Sequence, residues 1–205
     1  TFDYEVDGIW QIDEAAEAES FGLLPGQYKY VDQNDDGVIN QDDKRVLGSQ
    51  SPDWIAGMTN TFNYKNFEMN VQVNTRQGVF GHSEFHQNFA TFNGDKAVFN
   101  SLKQDYWTPN NPDAKYPSPE YGESAYPWFY EDMSYVRIGN IGLAYSFPQE
   151  LLDKFKMSNL RLSLDVQNPF TFTDFAGPDP ETGLQNSYNM GYSVKTVLFG
   201  LKLAY

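Results

Sequence analysis

The chain has 205 residues, room for one ordinary domain, and no cysteine, which excludes a disulfide framework and a thiolate metal site. Its 28 acidic against 14 basic residues give a net charge of −14, which argues against a nucleic-acid partner. No apolar run approaches the ~20 residues of a transmembrane helix. Residues 1–10 read as the tail of a strand, and a start at Thr1 without Met reads as a fragment of a longer precursor. Asp13 to Phe21 reads as a short helix, with Asp13 as N-cap and Gly22 as its stop. After the turn Leu24-Pro25-Gly26 comes an acidic loop, Asp32 to Asp43.

Residues 57–64 and 67–77 predict a hairpin about Lys65-Asn66. In its second arm Phe67, Met69, Val71 and Val73 alternate with Glu68, Asn70, Gln72 and Asn74. Residues 78–129 form a long excursion. Within it Asp95 to Trp107 predicts a helix ended by Pro109, and Pro109 to Pro127 cannot be a regular ladder. Residues 130–147 return as a strand with Ile141, Leu143, Tyr145 and Phe147 on one face. Pro148 to Lys156 predicts a short helix packing through Leu151, Leu152 and Phe155. Residues 159–172 alternate most cleanly: Leu160, Leu162, Leu164 and Val166 against Arg161, Ser163, Asp165 and Gln167. A loop at 173–192 leads to a last strand in which Val197, Phe199, Leu201, Leu203 and Tyr205 share a face.

Strands with one greasy and one polar face, long enough to cross a bilayer, are units of an outer-membrane barrel. The mean hydropathy of −0.59 does not oppose this, since alternating strands average out. The aromatic content of 17% suits interfacial girdles or sugar-stacking surfaces. Short links at 65–66 and 148–157 alternate with long ones at 11–56, 78–129 and 173–192, as periplasmic turns alternate with external loops. Five or six strands cannot close a barrel, for which about eight is the minimum, so the wall needs further strands.

The strongest chemical motif is Asp32-Gln33-Asn34-Asp35-Asp36-Gly37-Val38-Ile39-Asn40-Gln41-Asp42-Asp43, a calcium-loop pattern with an acid at the twelfth place. A hard Ca²⁺ ion takes six to eight oxygens. Asp32, Asn34, Asp36, the Val38 carbonyl, Asn40 (directly or through water) and Asp43 are the expected ligands of a structural ion. His82 and His86 stand four apart with Glu84 between them, yet the sequence departs from the zincin motif and offers no third ligand. Trp54, Trp107, Tyr126 and Trp128 could stack on sugars, though girdle or loop packing explains any one of them. No nucleophile triad, phosphate loop or dinucleotide fingerprint is present, so no catalytic residue is named and the chain is not expected to be an enzyme.

Several motifs in order carry a family resemblance. They are the Asp32–Asn40 loop with Asp43 and Gly48-Ser49; Pro52-Asp53-Trp54; Asn60-Thr61-Phe62; Tyr64-Lys65-Asn66-Phe67; and Tyr106-Trp107-Thr108-Pro109-Asn110-Asn111-Pro112. Ser134-Tyr135-Val136-Arg137-Ile138, Tyr145-Ser146-Phe147-Pro148, Asn168-Pro169-Phe170 and Gly177-Pro178-Asp179-Pro180-Glu181 continue the series. Together they resemble the C-terminal end of SusC/RagA-type TonB-dependent outer-membrane transporters. Gly200 to Tyr205 is similar to the C-terminal assembly signal of such proteins, although Leu198 departs from the polar residue often found before it. The resemblance implies a barrel of about 22 strands with a plug. It also implies a TonB box, a SusD-type lipoprotein lid, and energised import of glycans or oligopeptides.

The expected fold class is all-β, an antiparallel transmembrane β-barrel segment with long external loops and short helices. Residues 11–56, 78–129 and 173–192 are the expected external loops; 57–77 is the hairpin, 130–172 a strand pair and 193–205 the terminal strand. Expected partners are a SusD-type lipoprotein, TonB through a missing N-terminal part, a glycan or peptide substrate and outer-membrane lipid. The rival is a secreted calcium-stabilised carbohydrate-binding β-sandwich, in which Leu162 would sit in a packed core between two sheets.

Overall fold

The computed structural model describes residues 1–83, 85, 105–118, 120, 130–184 and 191–205. They form two compact units. One is built from Thr1–Ser51 with described residues of 79–132 and 181–184; the other from Pro52–Gly78, Met133–Pro180 and Gly191–Tyr205.

The first unit holds short antiparallel pairs. Strand β1 (Phe2–Tyr4) pairs with β4 (Lys44–Val46), and β2 (Val6–Ile9) with β3 (Tyr28–Tyr30). Helix α1 (Ala15–Ser20) follows a 3-10 turn at Ile12–Glu14. The cap is Gln11 and not Asp13, because the Glu14 carboxylate accepts the Gln11 N–H at 3.0 Å. Gly22, at φ 72°, ends the helix as expected. Ile9, Tyr28, Trp107 and Ala114 pack as an ordinary buried cluster, and Trp10 is buried too, its ring stacked on Phe21. Gly26 is required there: a Cβ would stand 2.6 Å from the Trp107 ring. Trp107 is thus core, not a sugar platform. Of the expected helix Asp95–Trp107 only 105–107 are described, and there Tyr106 bridges Tyr116. His86, Tyr126 and Trp128 lie outside the described residues.

The second unit is one five-stranded antiparallel sheet. Its members are β5 (Trp54–Tyr64), β6 (Phe67–Gln77), β9 (Tyr135–Ser146), β10 (Asn159–Phe172) and β11 (Thr196–Ala204), in the order β11-β10-β9-β6-β5. The β5–β6 hairpin turns at Lys65 (φ 52°). It begins at Trp54, earlier than residue 57, because the ladder runs on to a bond from Asp53 N–H to the Gln77 carbonyl. The return strand is interrupted: β8 (Tyr130–Asp132) pairs with β7 (Phe80–His82), and β9 starts only at Tyr135. The terminal strand starts at Thr196, opposite Gln167. Beyond that pair β10 bulges at Asn168 (φ 49°) and Pro169, which has no N–H to donate. Between β9 and β10, Pro148 caps helix α2 (Gln149–Leu152). Leu152 packs there, whereas Phe155 is exposed after the chain tightens into a 3-10 turn ended by left-handed Lys156.

Register sorts the side chains. One rung runs Phe62, Met69, Leu143, Leu164, Phe199; the next along the strands but one runs Tyr64, Phe67, Tyr145, Leu162, Leu201. The rung between them, on the opposite face, runs Asn63, Glu68, Ala144, Ser163, Gly200. The apolar face is not covered: Leu162 is 45% and Phe199 84% exposed. Leu162 therefore does not sit in the packed core that a sandwich requires.

Candidate functional site

The polar face of the sheet is the candidate site. Period-two alternation places Glu68, Asn70, Gln72, Asn74 and Arg76 of β6 on it, beside Asn140 of β9 and Arg161, Asp165 and Gln167 of β10, and a register shift past Asn140 brings Arg137, opposite Asn74, to the same face. Arg161 of β10 reaches over Ala144 of β9 to Glu68 of β6, an ion pair at 2.8 Å that leaves Ala144 buried. Asn140 donates to Asn70 at 2.8 Å. Gly142 leaves room for the flanking strands' side chains: a Cβ there would meet Asn70 and Asp165 at 2.4 and 2.5 Å. The surface is hydrogen-bonding, with both signs of charge paired across strands.

At the end from which the long connections leave, this face is closed over. Arg137 donates to Asp179 at 2.6 Å and to the Thr171 hydroxyl at 3.1 Å, and its guanidinium lies 4.9 Å from the Tyr135 ring centre. Both partners of this ion pair are buried, at 5% and 4% exposure. The Ser193 hydroxyl donates to the other Asp179 oxygen. Arg76 donates to the Pro180 carbonyl at 3.0 Å. Sequence reading did not pair Arg137 with Asp179, which stand 42 residues apart. Each lay inside a motif of the resemblance, but local pattern carries no signal for a partner that distant.

The Asp32–Asp43 loop belongs to the first unit. Asp32 accepts the Gly37 N–H at 2.7 Å, Asn34 the Asp36 N–H at 3.0 Å, Asp36 the Val38 N–H at 2.9 Å, and Asn40 the Asp42 N–H at 2.9 Å. Gly37, at φ 79°, makes the sharp turn. Asp43 is wholly buried, its two oxygens accepting the Gln33 and Asn40 amides at 2.9 and 2.7 Å. The Asn40 amide, helped by Gln33, holds its carboxyl below the usual carboxylate range. Among the described residues no three His, Asp or Glu side chains are gathered closely enough to hold an ion as they stand. Elsewhere in this unit the Glu14–Lys29 bond at 2.9 Å lowers the Glu14 carboxyl and raises the Lys29 ammonium, which also sits 4.3 Å from the Trp10 ring centre. Burial pushes the Tyr106 phenol up to about 12.

No protein-family model matches the chain. TonB-dependent receptor P26 of Formosa agariphila is 30% identical over 219 aligned positions, covering 97% of this chain and 22% of that receptor. TonB-dependent receptor P3 of the same organism is 29% identical, covering 92% and 19%, and TonB-dependent receptor SusC of Bacteroides thetaiotaomicron is 27% identical, covering 88% and 18%. The chain belongs to the SusC/RagA type of TonB-dependent receptors. As a segment of a SusC/RagA-type receptor it is an outer-membrane β-barrel protein. The solved structure of the RagAB peptide transporter has the same fold, superposing on all of this chain and 22% of its own with a TM-score of 0.72 at 19% identity. The segment spans about a fifth of the length of the curated relatives it matches.

Proposed function

We propose that the whole protein imports glycans or oligopeptides across the outer membrane, energised through TonB and working with a SusD-type surface lipoprotein. This chain supplies barrel wall and external loops and does no catalysis. The observation that carries the reading is the exposed apolar face of β5, β6, β9, β10 and β11, backed by a hydrogen-bonding face. In water so large an apolar patch is a liability, whereas in a bilayer it is the lipid-facing wall and the polar face lines the passage. The outer edges of β5 and β11 then pair with strands outside this chain, because an unpaired backbone group in lipid costs several kcal/mol. Oligopeptides stand beside glycans because the RagAB neighbour is a peptide transporter.

In this reading the external loops 11–56, 78–129 and 173–192 belong to the end of the sheet that Trp54, Gln77, Tyr135 and Phe172 share, and that end is where the lipoprotein docks. A tag inserted near Asn111 of the full receptor is expected to be reached from outside intact cells. Labelling only after rupture of the outer membrane would reverse the topology.

We also propose that Asp32, Asn34, Asp36, the Val38 carbonyl, Asn40 and Asp43 hold a structural Ca²⁺. A chain of Asx turns at Asn34, Asp36 and Asn40 already orders the loop backbone. The ion would lower the ordering cost of a long loop. Chelation is expected to speed proteolysis within 25–50 while the strands stay protected, and Asp36→Ala to abolish that response. Proteolysis indifferent to both would leave an acidic turn without an ion.

A further inference from the structure

The segment after β10 does not run outward from the sheet. Thr173 donates to the Ser134 carbonyl at 2.8 Å and accepts the Phe175 N–H at 3.1 Å, which turns the chain back. Phe175 is buried, and Gly177 passes so close that a Cβ would lie 2.2 Å from the Phe175 ring. Asp179 and Pro180 then settle on Arg137 and Arg76. Arg76 shares the polar face with Asn74 by alternation, and register puts Arg137 opposite Asn74 and Thr171 opposite Arg137 on that same face.

We infer that Thr173–Pro180 is a strap folded inside the barrel mouth, pinned to the lumenal wall by Arg137–Asp179, where it narrows the passage and becomes part of its lining. The inference rests on the reading of the polar face as the lumen. A buried charge pair suits a pin, because removing one partner strands the other charge away from water. The strap buries the Arg137 guanidinium, pairs it with Asp179 and accepts a hydrogen bond from the half-buried Arg76, which lowers the positive charge facing the mouth. With the strap in place the mouth offers a substrate hydrogen bonds, the exposed Ala176 and less positive charge than two bare arginines would give. Unpinned, the mouth is wider and more attractive to anions.

The test uses the full receptor, reconstituted in lipid with its native cysteines removed. One nitroxide at Ala176→Cys reports on the strap; another at Gln167→Cys reports on the polar face deeper in. In the parent the Ala176 label is expected to be immobilised. In Asp179→Asn and in Arg137→Gln its mobile fraction should rise at least twofold, with the barrel still resisting unfolding in detergent until heated. An Ala176 label equally mobile in parent and variants, or unmoved in both variants, would overturn the strap. The Gln167 label separates the two failures: relaxation by a water-soluble nickel chelate upholds the lumenal face, and relaxation by oxygen alone sinks the barrel reading itself.

Discussion

The two units place the same residue types in opposite surroundings. In the first, Trp10, Ile9, Tyr28 and Trp107 are buried, as apolar side chains are in water. In the second, Phe62, Leu162, Phe199 and Leu201 are exposed, while Arg137 and Asp179 are buried. The difference shows that exposure has to be judged against the solvent a region faces. The short, irregular segments of the first unit bury their apolar side chains, whereas the alternating strands of the second leave an apolar face uncovered.

The comparison breaks first at Trp10. Trp10→Ala is expected to cost the first unit about 3–5 kcal/mol, the usual loss for a buried tryptophan. Hydrogen exchange in the full receptor should show lost protection across 5–30 with β10 unchanged. Equal loss in both would mean that the units share one core. Next comes Leu162→Arg, expected to cost about 2–4 kcal/mol at mid-bilayer, against less than about 0.5 kcal/mol for Asp165→Asn on the other face. Reversible unfolding from lipid measures both, and similar costs would contradict the facial assignment.

Smaller effects sharpen the picture. Glu68 and Arg161 are a little over one-third exposed, so a double-mutant cycle should return less than about 1 kcal/mol. A larger coupling would mean that the polar face is drier than a water-filled lumen. The smallest effect is a pH dependence at Glu14. Lys29 depresses its carboxyl in the folded state, so the bond's contribution is present above the ordinary glutamate value of about 4.3 and fades as pH falls through the depressed one. The partly exposed pair limits this to under about 1 kcal/mol, readable as acid sensitivity lost in Glu14→Gln.

Much of the sheet was legible, because alternation in 57–77 and 159–172 dictates strands and their faces whatever surrounds them. Bounds were less legible where distant chain decides them: Asp53 extends the hairpin by bonding Gln77, and Pro169 cuts the partner ladder of β11. The first unit was read poorly. Its pairs Phe2–Val46 and Val6–Tyr30 join three- and four-residue strands too short to show a period. Trp107 was indistinguishable from an exposed ring, since burial there comes from Gly26 admitting it. In the acidic loop the spacing was plain, but the burial of Asp43 was not, because one of the amides it closes belongs to Gln33, on the loop's far side.

The central claim is that one face of the sheet meets lipid and the other water. Single cysteines from Leu160 to Gln167, introduced in a cysteine-free background of the full receptor, test it residue by residue. A membrane-impermeant thiol reagent and a lipid-borne quencher should give opposite period-two patterns. Arg161, Ser163, Asp165 and Gln167 are expected to react from water, and Leu160, Leu162, Leu164 and Val166 to be quenched from lipid. Quenching without alternation, or water reactivity at all eight positions, would contradict the account.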